Sequence, residues 1–246
     1  MHYLQEIGRY VLLLRSMFTR PERLSMYWKE TIRQIHDVGV GSVGIIAIVS
    51  TFVGGITATQ FTYQLEDIPF IPMWWMGLIV RESMVLEMAP TITALLIAGK
   101  VGSNMASELG TMRISEQIDA LEIMGVSTPA YLIGPKIIAT VFVMPILVTI
   151  ALFLGIVGGW LSGIAGDFFT TMEYKRGLQD GVENFDLIIM LVKALVFGFI
   201  ISSVSCFQGF FVRGGALEIG EASTRAVVLS SILVIVANFL IAFLFL

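Results

Sequence analysis

Glu87, Lys193 and Asn238 stand inside otherwise apolar runs of this 246-residue chain. A carboxylate or an ammonium in hydrocarbon is costly, so such a group faces a bundle interior or a wet cavity, pairs, or reaches the surface. Glu87, just ahead of the helix-kinking Pro90, is deep enough to demand an interior or wet cavity. Lys193 lies nearer the start of its run, where snorkelling to the closer surface is the commoner outcome. An amide such as Asn238 in mid-span suits a helix–helix hydrogen bond. Arg81 and Glu82 lie two to three turns from Trp74 and Trp75, near enough to reach headgroups or water.

A second concentration of polar chemistry lies in AGKVGSNMASELGTMRISEQIDALEIMGV, residues 98–126, which carries Lys100, Glu108, Arg113, Glu116, Asp119 and Glu122. Such a run must meet water or another protein. Ser115 reads as a helix N-cap, Glu116 and Asp119 suit the positive end of a short helix, and Gly125 followed by Pro129 stops it. Ile114, Ile118, Leu121 and Met124 recur at helical spacing, so one stripe buries while Glu116, Asp119 and Glu122 stay polar. Docking onto a partner and packing on the chain's own surface both fit these features.

Several kinds of chemistry lack their residues. No G-x-x-x-x-G-K-[ST] loop occurs, because Gly99-Lys100 is followed by Val101 and has no upstream glycine. Both histidines, His2 and His36, precede the first apolar run, so no His-based metal site is expected among the spans. No G-x-S-x-G elbow is present. The single cysteine, Cys206, has no internal disulfide partner and reads as a packing residue. Nothing in the sequence suggests nucleic-acid binding.

Several uncharged runs have the length of about 20 residues that a bilayer core demands, in a chain that is 56% hydrophobic and 14% charged. The expectation is an all-α integral membrane protein with spans near 38–65, 73–99, 137–166, 187–212 and 226–246. A short helix near 114–124 lies between the second and third. Residues 1–37 read as interfacial helices that precede a single membrane domain, 38–246. The first of them sets Leu4, Ile7, Val11, Leu14, Met17 and Phe18 on one stripe, with Glu6, Arg9, Arg15 and Arg20 largely elsewhere. Pro21 permits a break, and a second helix over 22–37 carries Tyr27 and Trp28. Glu66, Asp67, Pro69 and Pro72 mark the turn between the first two spans. Gly155, Gly159 and Gly163 form a small-residue ladder for close packing, within one subunit or against a second copy. Residues 167–186 read as a loop with a short helix. Eleven of the fifteen Lys and Arg fall on the side of the N-terminus and the 98–126 stretch, and Lys175 and Arg176 on the other. The excess puts the N-terminus in the cytoplasm and, with five spans, the C-terminus outside.

The 98–126 stretch, above all Glu116-Gln117-Ile118-Asp119-Ala120-Leu121-Glu122 with Met124, resembles the signature of the MlaE family of ABC-transporter permeases. The similarity extends upstream through Pro90-Thr91-Ile92-Thr93-Ala94-Leu95-Leu96 and to the hydropathy layout of the whole chain. The resemblance implies a permease subunit that moves glycerophospholipid between the bacterial inner membrane and a periplasmic MCE-domain lipid-binding protein. It implies a second copy of the chain and a separate cytoplasmic ABC ATPase that binds the ATP, so that this subunit has neither catalysis nor cofactor of its own. The 114–124 segment would be the coupling helix, docking through Glu116, Gln117, Ile118, Asp119, Leu121, Glu122 and Met124. Glu87 resembles a family glutamate that lies toward the lipid pathway, and Lys193 a lysine that faces the same route. The family usually has an arginine before that glutamate, where this chain has Leu86, and Arg81 is no simple replacement. A secondary carrier or an assembly scaffold is the alternative reading. Carriers usually show two related halves, and no internal repeat is evident here.

Overall fold

The computed structural model describes residues 2–17, 24–66, 72–181 and 183–245. Phe18 of the expected apolar stripe, Arg20 of the opposite side, the break at Pro21 and the turn residues Asp67 and Pro69 lie outside the described residues, as do the side chains of Leu4 and Glu66.

The chain opens with α1 (His2–Ser16). Leu13 is buried against the bundle, while Ile7, Val11 and Leu12 stay exposed. A helix with an uncovered apolar stripe and an arginine-bearing opposite side suits a membrane surface. The Tyr10 hydroxyl donates to Ser203 Oγ at 2.7 Å, and its ring meets Phe207 edge-on. Burial pushes that phenol above its ordinary pKa.

Helix α2 runs unbroken over Leu24–Glu66. The separate helix expected over 22–37 is therefore merged with the first span. No proline interrupts residues 34–44, and isolated glycines cost too little to end a helix. Its 43 residues measure about 65 Å, roughly twice the bilayer core, so the charged N-terminal part stands beyond the hydrocarbon.

The second span is one helical rod broken by two wide turns: α3 (Trp75–Ser83), a π turn at Met84–Met88, α4 (Ala89–Ile97), a π turn at Ala98–Gly102, and α5 (Ser103–Ile114). The span expected to stop near Gly99 thus continues to Ile114. Charge ends the apolar run but not the backbone hydrogen bonding, and the charged side chains past that limit find partners. Lys100 donates to the Gly41 carbonyl, Glu108 accepts from Lys136 at 2.6 Å, and Arg113 pairs with Asp119 at 2.7 Å. Helix α6 (Gln117–Ile123) follows. A π turn at Pro129–Ile133 then leads into α7 (Gly134–Ala165), which starts before the expected residue 137. Helix α8 (Thr171–Gln179) lies between α7 and α9 (Asn184–Phe210), and α10 (Ala216–Phe245) ends the chain. Helix α10 begins ten residues ahead of the expected boundary at 226, where Glu218 accepts from the Gly215 amide at 2.8 Å.

Among the described residues five helical stretches are long and apolar enough to cross a membrane. Helices α7 and α9 are central; α2 packs along α7, and α10 and α5 pack against α9. The flanking α2 and α10 turn Phe52, Ile56, Ile232 and Phe239 outward, as helices in lipid do. The α2–α7 seam is drawn tight where a Cβ on Gly54 would strike the Gly155 carbonyl, and one on Gly158 the Thr51 carbonyl. The ladder packs within the chain: Gly155 against Met84 and the Ser50 carbonyl, Gly159 against Tyr174 and Val80, and Gly163 beneath the Phe169 ring.

Candidate functional site

Pro90 organises the middle of the bundle. It has no N–H, so the carbonyl four residues earlier, that of Leu86, lacks its helical donor. The chain widens into the Met84–Met88 π turn at that step, a common answer to an interrupted hydrogen-bond ladder. Lys193 Nζ, from α9, donates to the Leu86 carbonyl at 2.6 Å and to Glu87 Oε1 at 2.8 Å. Asn238 Nδ2, from α10, donates to Glu87 Oε2 at 2.7 Å. Lys193 and Asn238, which follow Glu87 by 106 and 151 positions, thereby form with it one polar knot across three spans. The snorkelling expected of Lys193 does not occur: its side chain is fully buried, because a carbonyl without a helical donor and a carboxylate both lie within reach. Glu87 remains 41% exposed, and Asn238 Oδ1 is buried with no partner among the described residues. About 18 Å of helix separates Glu87 from Trp75, which sets the knot deep within the span.

Arg81 also departs from expectation. Rather than reaching headgroups or water, its buried guanidinium donates to the carbonyls of Leu178 at 3.0 Å, Asp180 at 2.6 Å and Gly181 at 3.0 Å. These are the acceptors that the end of α8 leaves unpaired, and a cation there also suits the helix dipole. Glu82 stays half exposed, 3.5 Å from Arg81.

At the opposite end of the bundle, α5 and α6 meet at a sharp corner. Ser115 is not the N-cap of α6 but the C-cap of α5, its hydroxyl donating to the Thr111 carbonyl at 2.7 Å. The N-cap is Glu116, in the left-handed region at φ 58°, without a side-chain cap. The helix therefore covers 117–123 rather than 114–124. Gly125, at φ 81°, closes it as expected: the Val126 amide donates to Leu121 at 3.1 Å and the Gly125 amide to Glu122 at 2.9 Å.

The shortened helix changes which face is buried. Of Ile114, Ile118, Leu121 and Met124, only Ile118 is fully buried; Ile114 and Leu121 are half-buried, and Met124 is 70% exposed. Ile123, absent from the expected stripe, is 87% exposed beside it. Glu116, Gln117 and Glu122 are also exposed, whereas Asp119 turns back to Arg113. The Arg113 guanidinium lies 5.9 Å from the Phe210 ring centroid, so it ties α6 to α9 as well as to α5. Thr128 donates to Glu122 at 3.0 Å.

Lys136, just outside the span expected from 137, is buried in α7 and pairs with Glu108. No local signal marks that pair, since its members are 28 residues apart. Ile123 is detectable in the sequence only as an apolar neighbour of Met124 off the helical stripe. Among the described residues no group of three or more His, Cys, Asp or Glu gathers as metal ligands would.

The groups of the knot hold three helices together and present a partly exposed carboxylate. The α6 corner presents two apolar side chains among acids. Residues 31–244 match the family described as Permease MlaE. A "Probable ABC transporter permease protein" of Rickettsia bellii is 36% identical over 98% of this chain and 92% of its own length. A protein of the same description from Synechocystis is 35% identical, over 88% of this chain and 81% of its own. The "Intermembrane phospholipid transport system permease protein MlaE" of Haemophilus influenzae is 29% identical, over 97% and 91%.

Proposed function

Because the chain belongs to the MlaE family of ABC-transporter permeases, we propose that it is the membrane subunit through which a separate ATPase drives glycerophospholipid movement. One observation carries this reading: α6, with Ile123 and Met124 uncovered, sits at the end of the same helical rod that holds Glu87. About 40 Å of helix joins Glu87 to Ile114, and a packed helix moves as a unit. A push on α6 therefore reaches the knot along the rod, with the two π turns as the places where it can flex. Arg113 and the Glu108–Lys136 pair brace the rod against α6, α7 and α9.

The Lys and Arg excess supports a cytoplasmic N-terminus and α6, and an opposite C-terminus and α8, in a bacterial inner membrane. The ATPase then docks on Glu116, Gln117, Ile118, Asp119, Leu121, Glu122, Ile123 and Met124, and it alone binds ATP. Ile118 and Asp119 act by positioning the helix. An MCE-domain lipid-binding protein caps the α8 end, and a second copy of the chain completes the membrane cavity. The apolar spans hold the acyl chains, and Glu87, Lys193 and Asn238 lie on the headgroup's path. The name of the Haemophilus relative supports phospholipid as the substrate.

Co-purification with the cognate ATPase tests the reading. Ile123→Asp together with Met124→Asp is expected to lower ATPase recovery more than ten-fold and to abolish lipid movement, while leaving the thermal stability of the permease unchanged. Full ATPase recovery with both substitutions would remove α6 as the docking element. A wild-type permease that binds no ATPase at all would return the chain to the carrier or scaffold reading.

A further inference from the structure

We infer that the knot favours phospholipids whose headgroup carries a primary ammonium over those whose headgroup is anionic. This rests on the phospholipid reading above and turns on how the hydrogen-bonding capacity of three side chains is spent. Lys193, the cation one would assign to a lipid phosphate, is already committed. One N–H caps the carbonyl that Pro90 deprives of a donor, a second meets Glu87, and the side chain is fully buried. The third N–H is shut in with the rest of the ammonium, so a phosphate could reach it only if the surrounding helices parted.

The spare capacity is of the opposite kind. The Glu87 carboxylate has about four lone-pair positions, and each oxygen accepts one bond from within the protein. The side chain is 41% exposed, so its remaining positions are open to a ligand. Asn238 Oδ1, buried beside it, is a further acceptor without a partner among the described residues. Unspent acceptors call for a donor.

Charge points the same way. Glu87 and Lys193 neutralise one another, and a zwitterionic lipid leaves that balance intact. A headgroup with net negative charge adds an uncompensated charge next to a carboxylate in a low-dielectric setting. An ethanolamine-type headgroup offers both N–H donors and a positive charge. A choline-type headgroup keeps the charge but has no N–H, and a glycerol-type headgroup offers hydroxyls on a net anion. The expected order is ethanolamine, choline, glycerol.

The test uses the permease assembled with its ATPase and MCE partner. The complex is equilibrated with vesicles of ethanolamine, choline and glycerol phospholipids that share the same acyl chains, then repurified, and its lipid is counted by mass spectrometry. Ethanolamine lipid is expected to be enriched over glycerol lipid by roughly three- to ten-fold relative to the vesicles, the effect of one partly solvated charge-assisted hydrogen bond. Glu87→Gln, close in shape but uncharged, should return the ratio to that of the vesicles. Bound lipid in vesicle proportions, an excess of glycerol lipid, or an enrichment that survives Glu87→Gln overturns the inference and leaves lipid transport standing. A complex that carries no lipid from any mixture overturns the phospholipid reading as well. If Glu87→Gln does not assemble, the wild-type competition decides alone.

Discussion

Two short helices close opposite ends of this bundle, and they are built to different standards. Helix α8 is finished from within the chain. At its start the Thr170 hydroxyl accepts from the Glu173 amide at 3.3 Å, while Glu173 accepts from the Thr170 amide at 2.8 Å. At its end Arg81 takes three carbonyls. In its middle the Tyr174 hydroxyl donates to Ile156 at 2.9 Å, the ring stacks on Phe169, and α3 crosses so closely that a Cβ on Gly77 would strike the Tyr174 carbonyl. Helix α6 has no side-chain N-cap, opens on a non-glycine residue in the left-handed region, buries only Ile118, and leaves Ile123 and Met124 in the open. Helix α8 thus belongs to the architecture, whereas α6 has surface left over for something else to complete.

Breaking α8 should therefore damage the protein itself. The largest effect is expected from Gly77→Leu, whose side chain has no room at the α3–α8 crossing and forces the helices apart. A loss of about 3 kcal/mol or more follows from overpacking against backbone. A clear fall in melting temperature in detergent checks it; an unchanged value would mean that α8 is only loosely attached.

A milder change probes the same contrast. Thr170→Ala removes the N-cap and should cost about 1 kcal/mol, read from the same melting curves. It should also alter the acid response. The Thr170 amide and hydroxyl hold the Glu173 carboxyl below its ordinary range. A group whose folded pKa is lowered contributes stability above its unfolded pKa and loses it as pH falls through the folded value. Stability from this cap should thus be level through neutral pH and decline only in acid, and the variant should show less of that decline.

The smallest effect is expected at α6. Glu116→Gly removes a side chain from a left-handed position and should raise stability by roughly 0.5–1 kcal/mol, measured by thermal unfolding of the isolated permease. A loss of stability would show that the Glu116 side chain holds α6 in place, and the two helices would then differ less than the geometry indicates.

Much of the fold is legible in the residues alone. The apolar runs announce the spans because hydrocarbon admits little else, and Gly125 announces the end of α6 because few other residues accept its φ. The 98–126 stretch carries its family likeness in plain view. Helix boundaries are harder to place: α2, α5, α7 and α10 each extend past an apolar limit at one end, whereas α6 is shorter than its apolar stripe. Side-chain hydropathy reports where lipid ends, and backbone hydrogen bonding continues wherever polar side chains are partnered.

Local composition and spacing thus suffice for the membrane class, the rough positions of five spans and the presence of a polar segment outside them. They do not say that Lys193 is spent on the Leu86 carbonyl and Glu87, that Arg81 closes α8 rather than facing lipid, or that Lys136 answers Glu108. Those partnerships exist only once the helices are packed, because each joins residues distant along the chain. A buried charge takes the best partner that folding brings within about 3 Å, and no local pattern names that partner in advance.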